Sequence, residues 1–238
     1  MKLDILAMAA HPDDVELAGS GTLLKAIAGG KKAGIIDFTR GELGTRGTPE
    51  IREAEANASG RILGLSAREN LGFRDGFFKN DEEHQLALIK MIRKYQPDIV
   101  LANAFDDRHP DHGKGSQLAK EACFLAGLKM IETELNGEKQ AHWRPKIVYH
   151  YIQSIPSEPD FIVDVSDVWE TKMESIRAFK SQFFDPGSSE ENTYISSPDF
   201  INMIEARAIH YGHIIGAKYG EGFNVERTIG VKSPFDLI

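Results

Sequence analysis

The sequence lacks the features that mark several large classes of protein. Cys123 is its single cysteine in 238 residues, which excludes an intramolecular disulfide and any CxxC metal or redox motif. Its apolar surroundings, Ala122-Cys123-Phe124-Leu125-Ala126, point to a buried structural thiol. No apolar run approaches the ~20 residues that span a bilayer. The stretch Ile5–Ala10 is too short for a secretory leader and runs straight into His11-Pro12-Asp13-Asp14, so a cytoplasmic protein is expected. Basic charge is scarce: 28 Lys+Arg stand against 36 Asp+Glu, a net −8. A non-specific nucleic-acid binder needs the opposite balance to displace counterions. Repeats and low-complexity runs are also missing, and 41% hydrophobic with 27% charged residues is ordinary for a globular chain. At about 100–200 residues per domain, residues 1–238 are expected to form a single domain.

What is present is an alternation of short apolar runs and longer amphipathic ones. Strands are expected at Ile5–Ala10, Ala33–Phe38, Arg68–Leu71, Ile99–Ala102, Lys146–Tyr151 and Phe161–Val165. Helices are expected near Leu17–Ala28, Pro49–Leu63, Glu82–Tyr95, Gly115–Leu128, Ser166–Lys180 and Pro198–Ile215, with Ala54, Ala56, Ala58 and Ile62 packing the second of these closely. Such alternation implies an α/β fold, a Rossmann-like three-layer α/β/α sandwich around a mostly parallel sheet. Two polar stretches, Gln182–Ser197 and Glu134–Arg144, read as surface loops, the first long enough to act as a lid.

Two tetrapeptides carry the chemistry: His11-Pro12-Asp13-Asp14 and His109-Pro110-Asp111-His112. Each follows an expected buried strand. In an open α/β sheet ligands bind beyond the carboxyl ends of strands where the strand order reverses. With the order 3-2-1-4-5, the loops after the first and fourth strands face each other across one crevice. Imidazole and carboxylate donors suit Zn²⁺, or Fe²⁺ and its neighbours, and a catalytic zinc site typically has three protein ligands and an open position. His11, Asp14 and His112 supply such a set, leaving Asp13 and Asp111 beyond what a closed structural site requires.

The paired motifs resemble the zinc-dependent N-acetylglucosaminyl deacetylases of the PIG-L/LmbE family. The resemblance extends to the loop Thr39–Thr48, the helix carrying Arg52 and Glu53, and the closing Tyr219-Gly220-Glu221-Gly222-Phe223. It looks closest to the bacillithiol branch, which implies N-acetylglucosaminyl-malate as substrate. By the same resemblance His11, Asp14 and His112 match metal ligands and Asp13 the general base. His109 matches the group near the oxyanion, with Asp111 hydrogen-bonded behind it. A closed homo-oligomer, such as a hexamer, is implied too.

The chemistry also follows from the groups themselves. A bound zinc acidifies water, Asp13 can take its proton, and a protonated His109 can stabilise the oxyanion. Either Asp13 or His109 could protonate the leaving amine. A malate conjugate brings two carboxylates, which planar arginines hold well. Arg52 and Arg108 lead as candidates, with Arg40, Arg46 and Arg207 behind them, and Glu42 in the same middle loop is a further substrate-binding candidate. Gly19-Ser20-Gly21 lacks a phosphate-binding spacing and reads as close helix–sheet packing. His84, His142 and His150 read as structural or exposed, and His210 and His213 lack an acidic cluster. The rival readings are the same chemistry on another GlcNAc conjugate or short chitooligosaccharide, and a non-catalytic metal- or sugar-binding module.

Overall fold

A computed structural model describes residues 1–183, 187 and 190–237. The chain runs β1 (Ile5–Ala9), α1 (Asp14–Ala18), α2 (Ser20–Ala28), β2 (Ala33–Thr39), α3 (Pro49–Leu63), β3 (Ala67–Phe73), α4 (Glu82–Tyr95), β4 (Ile99–Ala102) and α5 (Pro110–Ala126). A small hairpin, β5 (Glu134–Leu135) and β6 (Glu138–Lys139), precedes β7 (Ile147–Tyr151), β8 (Phe161–Asp164), α6 (Trp169–Arg177), α7 (Pro198–Ile214) and β9 (Gly220–Val225). Seven strands form one sheet in the order β3-β2-β1-β4-β7-β9-β8. All are parallel except β9, which runs antiparallel between β7 and β8.

Every residue of β1 and β2 is buried, as expected for parallel strands covered on both faces. Alternation divides them between two cores. Leu6, Met8, Ile36, Phe38 and Val100 pack with Leu88, Ile92, Leu118 and Cys123 of α4 and α5. Ile5, Ala7, Ala9, Ile35 and Leu101 pack on the opposite face with Val15, Leu23 and Leu63. The resulting α/β/α layering agrees with the sequence expectation. β1 pairs with β2 on one side and β4 on the other, so the strand order reverses there and the loops after β1 and β4 are neighbours.

The departures have local causes. α5 begins at Pro110 rather than near Gly115, because proline suits the first helical position and His109 caps it through its own ring: Nδ1 accepts the Asp111 N–H at 3.2 Å. The expected helix Leu17–Ala28 breaks into α1 and α2 at Gly19. Ala54 of α3 is exposed and only Ala56 of the expected set is fully buried, beside Ser59, Gly60 and Leu63. β9 was legible only as a glycine-rich closing motif. A Cβ at Gly220 would lie 2.6 Å from Ile162 and 2.9 Å from the Gly212 backbone, so the glycine lets β9 lie against α7. The loop Glu134–Arg144 contains the β5–β6 hairpin around Asn136-Gly137, a dipeptide that favours tight hairpin turns. Of the stretch 182–197 read as a lid, residues 184–186, 188 and 189 lie outside the described residues.

Glu221 of β9 ties these layers together. Its carboxylate accepts the N–H groups of Gly21 and Thr22 at 2.8 and 2.7 Å and the Lys172 ammonium at 2.6 Å. A Cβ at Gly21 would sit 2.8 Å from Val165 Cγ1 and 2.9 Å from Glu221 Oε1. Gly21→Ala should therefore destabilise the fold by about 1–2 kcal/mol, since overpacking outweighs the roughly 1 kcal/mol gained in helix propensity. Urea denaturation checks this, and an unchanged or raised midpoint would refute the packing argument.

Candidate active site

The loop after β1 is fixed at both ends. Ala10 donates its N–H to Asn103 Oδ1 at 3.0 Å, and the Thr39 hydroxyl donates to Ala10 O at 2.9 Å. Asp13 then takes a left-handed conformation, φ 112°, which is unusual for a residue with a side chain. That turn starts α1 and buries Asp13 and Asp14 together. The second motif caps α5, so Asp111 and His112 occupy its first turn. The structure brings both motifs to one cavity of about 330 Å³ that includes His11, Asp13, Asp14, His109 and His112 in its walls.

Asp14 is the hub. Its Oδ2 accepts from the His11 N–H and from Asn103 Nδ2, both at 3.0 Å, and its Oδ1 accepts from Gln153 Nε2 at 3.1 Å. His112 Nε2 lies 3.0 Å from Asp14 Oδ1 and His11 Nδ1 lies 3.6 Å from Asp14 Oδ2. Donors about 2.0–2.2 Å from a tetrahedral ion stand roughly 3.3 Å apart, and these two separations bracket that spacing. The donor types thus suit the cation that the sequence implies, with the two histidines approaching different oxygens of Asp14. Ring nitrogens of His11, His109 and His112 also lie within 4.8 Å of one another, as do donor atoms of His11, Asp75 and Asp111.

The charges are strongly coupled. Burial disfavours the Asp14 anion, yet His112 and His11 hold its carboxyl well below the usual range. Burial pushes the Asp13 carboxyl up to about 7, against the pull of the Arg52 guanidinium. His112 is lifted to about 9 although burial opposes its charge, because Asp14 and Asp107 face it. His109 moves the other way, lowered by burial and by the neighbouring His11 and His112.

Several sequence expectations need correction. The Asp111 carboxylate does not stand behind His109. It accepts the Gly76 N–H at 2.7 Å, pairs with Lys114 at 2.5 Å and lies 3.5 Å from His11 Nε2. It is the Asp111 backbone N–H that bonds His109 Nδ1. With Nδ1 accepting and the pKa lowered, His109 is a neutral ring carrying its proton on Nε2, not an imidazolium. Arg52 borders the cavity, but its guanidinium is committed to Pro12 O at 2.7 Å, Gly41 O at 3.2 Å and Asp13 Oδ2 at 3.3 Å. Glu42 accepts the Asp75 N–H at 2.7 Å and does not line the cavity. Arg46 is buried in the wall and pairs with Glu190 at 3.2 Å. Arg40 lies outside the cavity, on Glu50 and Glu53. Arg207 does reach it, donating to the carbonyls of Gln153 and Leu17. Arg108 is exposed at its edge, 4.4 Å over the Tyr194 ring.

Sequence reasoning missed Asp75, Asn103, Asp107 and Gln153. Asp75 Oδ1 lies 3.0 Å from His11 Nε2, and Asp107 Oδ2 lies 2.6 Å from His112 Nδ1. Both are carboxylates bonded to a ring nitrogen of a candidate ligand, on the side away from Asp14, as metal-binding histidines usually have. Asp107 could have been found two residues before the second motif, and Asp75 just beyond the carboxyl end of β3. Cys123 is buried with its thiol pushed up by burial, and His150 is buried between Ser116 and Asn103 O. His210 and His213 are exposed.

Fold and site define an α/β protein with a candidate His/Asp metal-binding group at the switch point of its sheet. The family model for PIG-L, GlcNAc-PI de-N-acetylase, matches residues 6–123, which contain both motifs. The conserved protein TT1542 from Thermus thermophilus superimposes with a TM-score of 0.87 at 36% identity, covering 98% of each chain. The N,N'-diacetylchitobiose deacetylase of Pyrococcus horikoshii gives a TM-score of 0.79 at 27% identity, over 98% of this chain and 88% of that one. Diacetylchitobiose deacetylase of Thermococcus kodakarensis is 28% identical over 230 residues, 92% of this chain and 81% of that protein. The chain belongs to the PIG-L family. No helix among the described residues is long and apolar enough to cross a membrane.

Three donor sets are candidates for a cation: His11–Asp14–His112, the three histidines, and His11–Asp75–Asp111. If the first holds it, Asp14→Ala should abolish stoichiometric metal uptake while His109→Ala retains it. Metal content after dialysis against Zn²⁺ measures both, and the reverse pattern would assign the ion to the histidine triplet.

Proposed function

We propose that this protein is a metal-dependent deacetylase of GlcNAc-type conjugates. The observation that carries the reading is the convergence of both motifs on one cavity, with Asp13 beside the candidate ligands but bonded to none of them among the described residues. A non-catalytic binding module has no use for such a spare carboxylate. His11, Asp14 and His112 are assigned as ligands of a divalent cation, taken as Zn²⁺ with Fe²⁺ as the nearest alternative. Such an ion supplies acidification of water and positive charge for the amide carbonyl.

The remaining work falls to the chain's own side chains. Asp13 accepts a proton from the attacking water, held in place by Arg52 from the opposite side. Neutral His109 donates a hydrogen bond from Nε2 to the oxygen on which charge develops. The proton taken by Asp13 then passes to the amide nitrogen as the C–N bond breaks, giving a free amine and acetate. Asp111 acts through the wall, by fixing Gly76 and facing His11.

Both named deacetylase relatives act on diacetylchitobiose, which makes a second sugar one candidate aglycone. The malate conjugate of the bacillithiol branch is the other. Its support here is Arg108, whose guanidinium is exposed at the cavity edge, whereas Arg46 and Arg52 are occupied. The reading extends to a single catalytic domain over residues 1–238, a cytoplasmic location and a closed homo-oligomer, a hexamer by family resemblance.

Acetate release from N-acetylglucosaminyl-malate, diacetylchitobiose and GlcNAc tests the proposal. Asp13→Ala should bind metal yet lose at least about 100-fold in turnover, the usual worth of a general base; full turnover in that variant would refute its role. Arg108→Ala should raise KM for the malate conjugate by about tenfold, the loss of one charge-assisted hydrogen bond, and leave GlcNAc unchanged. Equal losses on both substrates would remove Arg108 from substrate recognition.

A further inference from the structure

Asp75 is the point at which the candidate metal site and the cavity wall are physically joined. Its Oδ1 lies 3.0 Å from His11 Nε2, and its Oδ2 accepts the Leu43 backbone N–H at 3.1 Å. Its own N–H is held by Glu42 at 2.7 Å, so the turn after β3 and the loop after β2 are locked together. Leu43, Gly44, Thr45 and Arg46 continue from that lock into the wall of the cavity. In the ligating form of His11, which is neutral, a carboxylate accepting at Nε2 keeps the proton there and leaves the lone pair on Nδ1, the nitrogen that faces Asp14.

Asp107 repeats the device on the other side. One oxygen lies 2.6 Å from His112 Nδ1 and the other accepts the Ile155 N–H at 2.7 Å, next to Gln153 and Ser154 of the cavity wall. Each candidate ligand histidine is therefore oriented by a buried carboxylate whose second oxygen anchors a different wall segment.

We propose that Asp75 is a positioning residue that couples the loop 42–46 to the ligating state of His11. One carboxylate sets the ring's tautomer and pins the loop against which substrate packs. The inference rests on His11 being a metal ligand, and it goes further by assigning a cavity-wall loop and the metal to one shared anchor.

The test uses full-length apo protein, with Zn²⁺ affinity read by competition with a chromophoric chelator and loop anchoring read by hydrogen exchange at the Leu43 amide. A carboxylate has two acceptor oxygens where an amide has one. The isosteric Asp75→Asn must then give up one contact. Either Zn²⁺ affinity falls about 10–100-fold while Leu43 stays protected, or affinity is kept and Leu43 exchanges about fivefold faster, the worth of one hydrogen bond. Asp75→Ala should lose both. In Asp107→Asn either Zn²⁺ affinity falls or Ile155 exchanges faster, and in both cases Leu43 exchanges as in the wild type. Asp75→Asn with wild-type affinity and wild-type Leu43 exchange would overturn the proposal, as would faster Leu43 exchange in Asp107→Asn. A wild-type protein that takes up no Zn²⁺ would overturn the functional reading along with it, which separates the two failures.

Discussion

Five carboxylates are buried within one cluster: Asp13, Asp14, Asp75, Asp107 and Asp111. Removing a charge from water costs several kcal/mol unless a partner replaces the lost hydration, so this cluster dictates much of what surrounds it. Arg52 answers Asp13 and Lys114 answers Asp111. Asp14, Asp75 and Asp107 instead face imidazoles, which compensate them only when carrying a proton or when sharing a cation. The same arrangement that is awkward for an empty protein is thus favourable for a cation-loaded one. The net charge of −8 is in this sense partly local, with part of its acidic excess concentrated where positive charge is to be held.

The sheet makes that cluster possible. Its anions come from four segments of the chain: the loops after β1 and β4, the turn after β3 and the first turn of α5. All end at the carboxyl edge because β1, β3 and β4 are parallel and β1 lies at the point of reversal. Helix α1, which carries Asp14, is only five residues long and too short to be stable by itself. Lys172 from α6 donates to Glu16 O at 3.1 Å, and Arg207 from α7 donates to Leu17 O at 3.0 Å. These cations satisfy the carbonyls at its end, so distant helices fix the placement of an active-site carboxylate.

The order of the first four strands, the layering and both motifs were legible in the sequence because buried parallel strands are near-continuous apolar runs. The second sheet neighbour of β7 was not, since β9 contains Gly220 and Gly222, which propensity assigns to turns. Tertiary contact with α7 overrides that preference. In the site, residues in the His-Pro-Asp motifs were found by their repetition, whereas Asp75, Asn103, Asp107 and Gln153 have no periodic or motif signal. Arginine was over-read for a related reason. Sequence shows that Arg52 lies near the first motif, but only the fold shows that three of its contacts are already made within the protein.

A guanidinium fixed to Pro12 O, Gly41 O and Asp13 holds the Asp13 carboxylate in place, and little of it is left for any further anionic partner. Part of the cavity wall is apolar, built by Leu17, Ile195, Phe200, Met203 and Ile204. Sugar rings present apolar C–H faces as well as hydroxyls, and the same cavity carries the polar side chains of Arg108, Gln153 and Arg207 beside its apolar ones. The segment 193–207 supplies much of that apolar wall together with Arg207, whose guanidinium also holds Leu17 O at the end of α1. The carboxylate–imidazole cluster is thus set by strand ends that the sheet fixes, and most of the apolar wall by α7 and the segment leading into it.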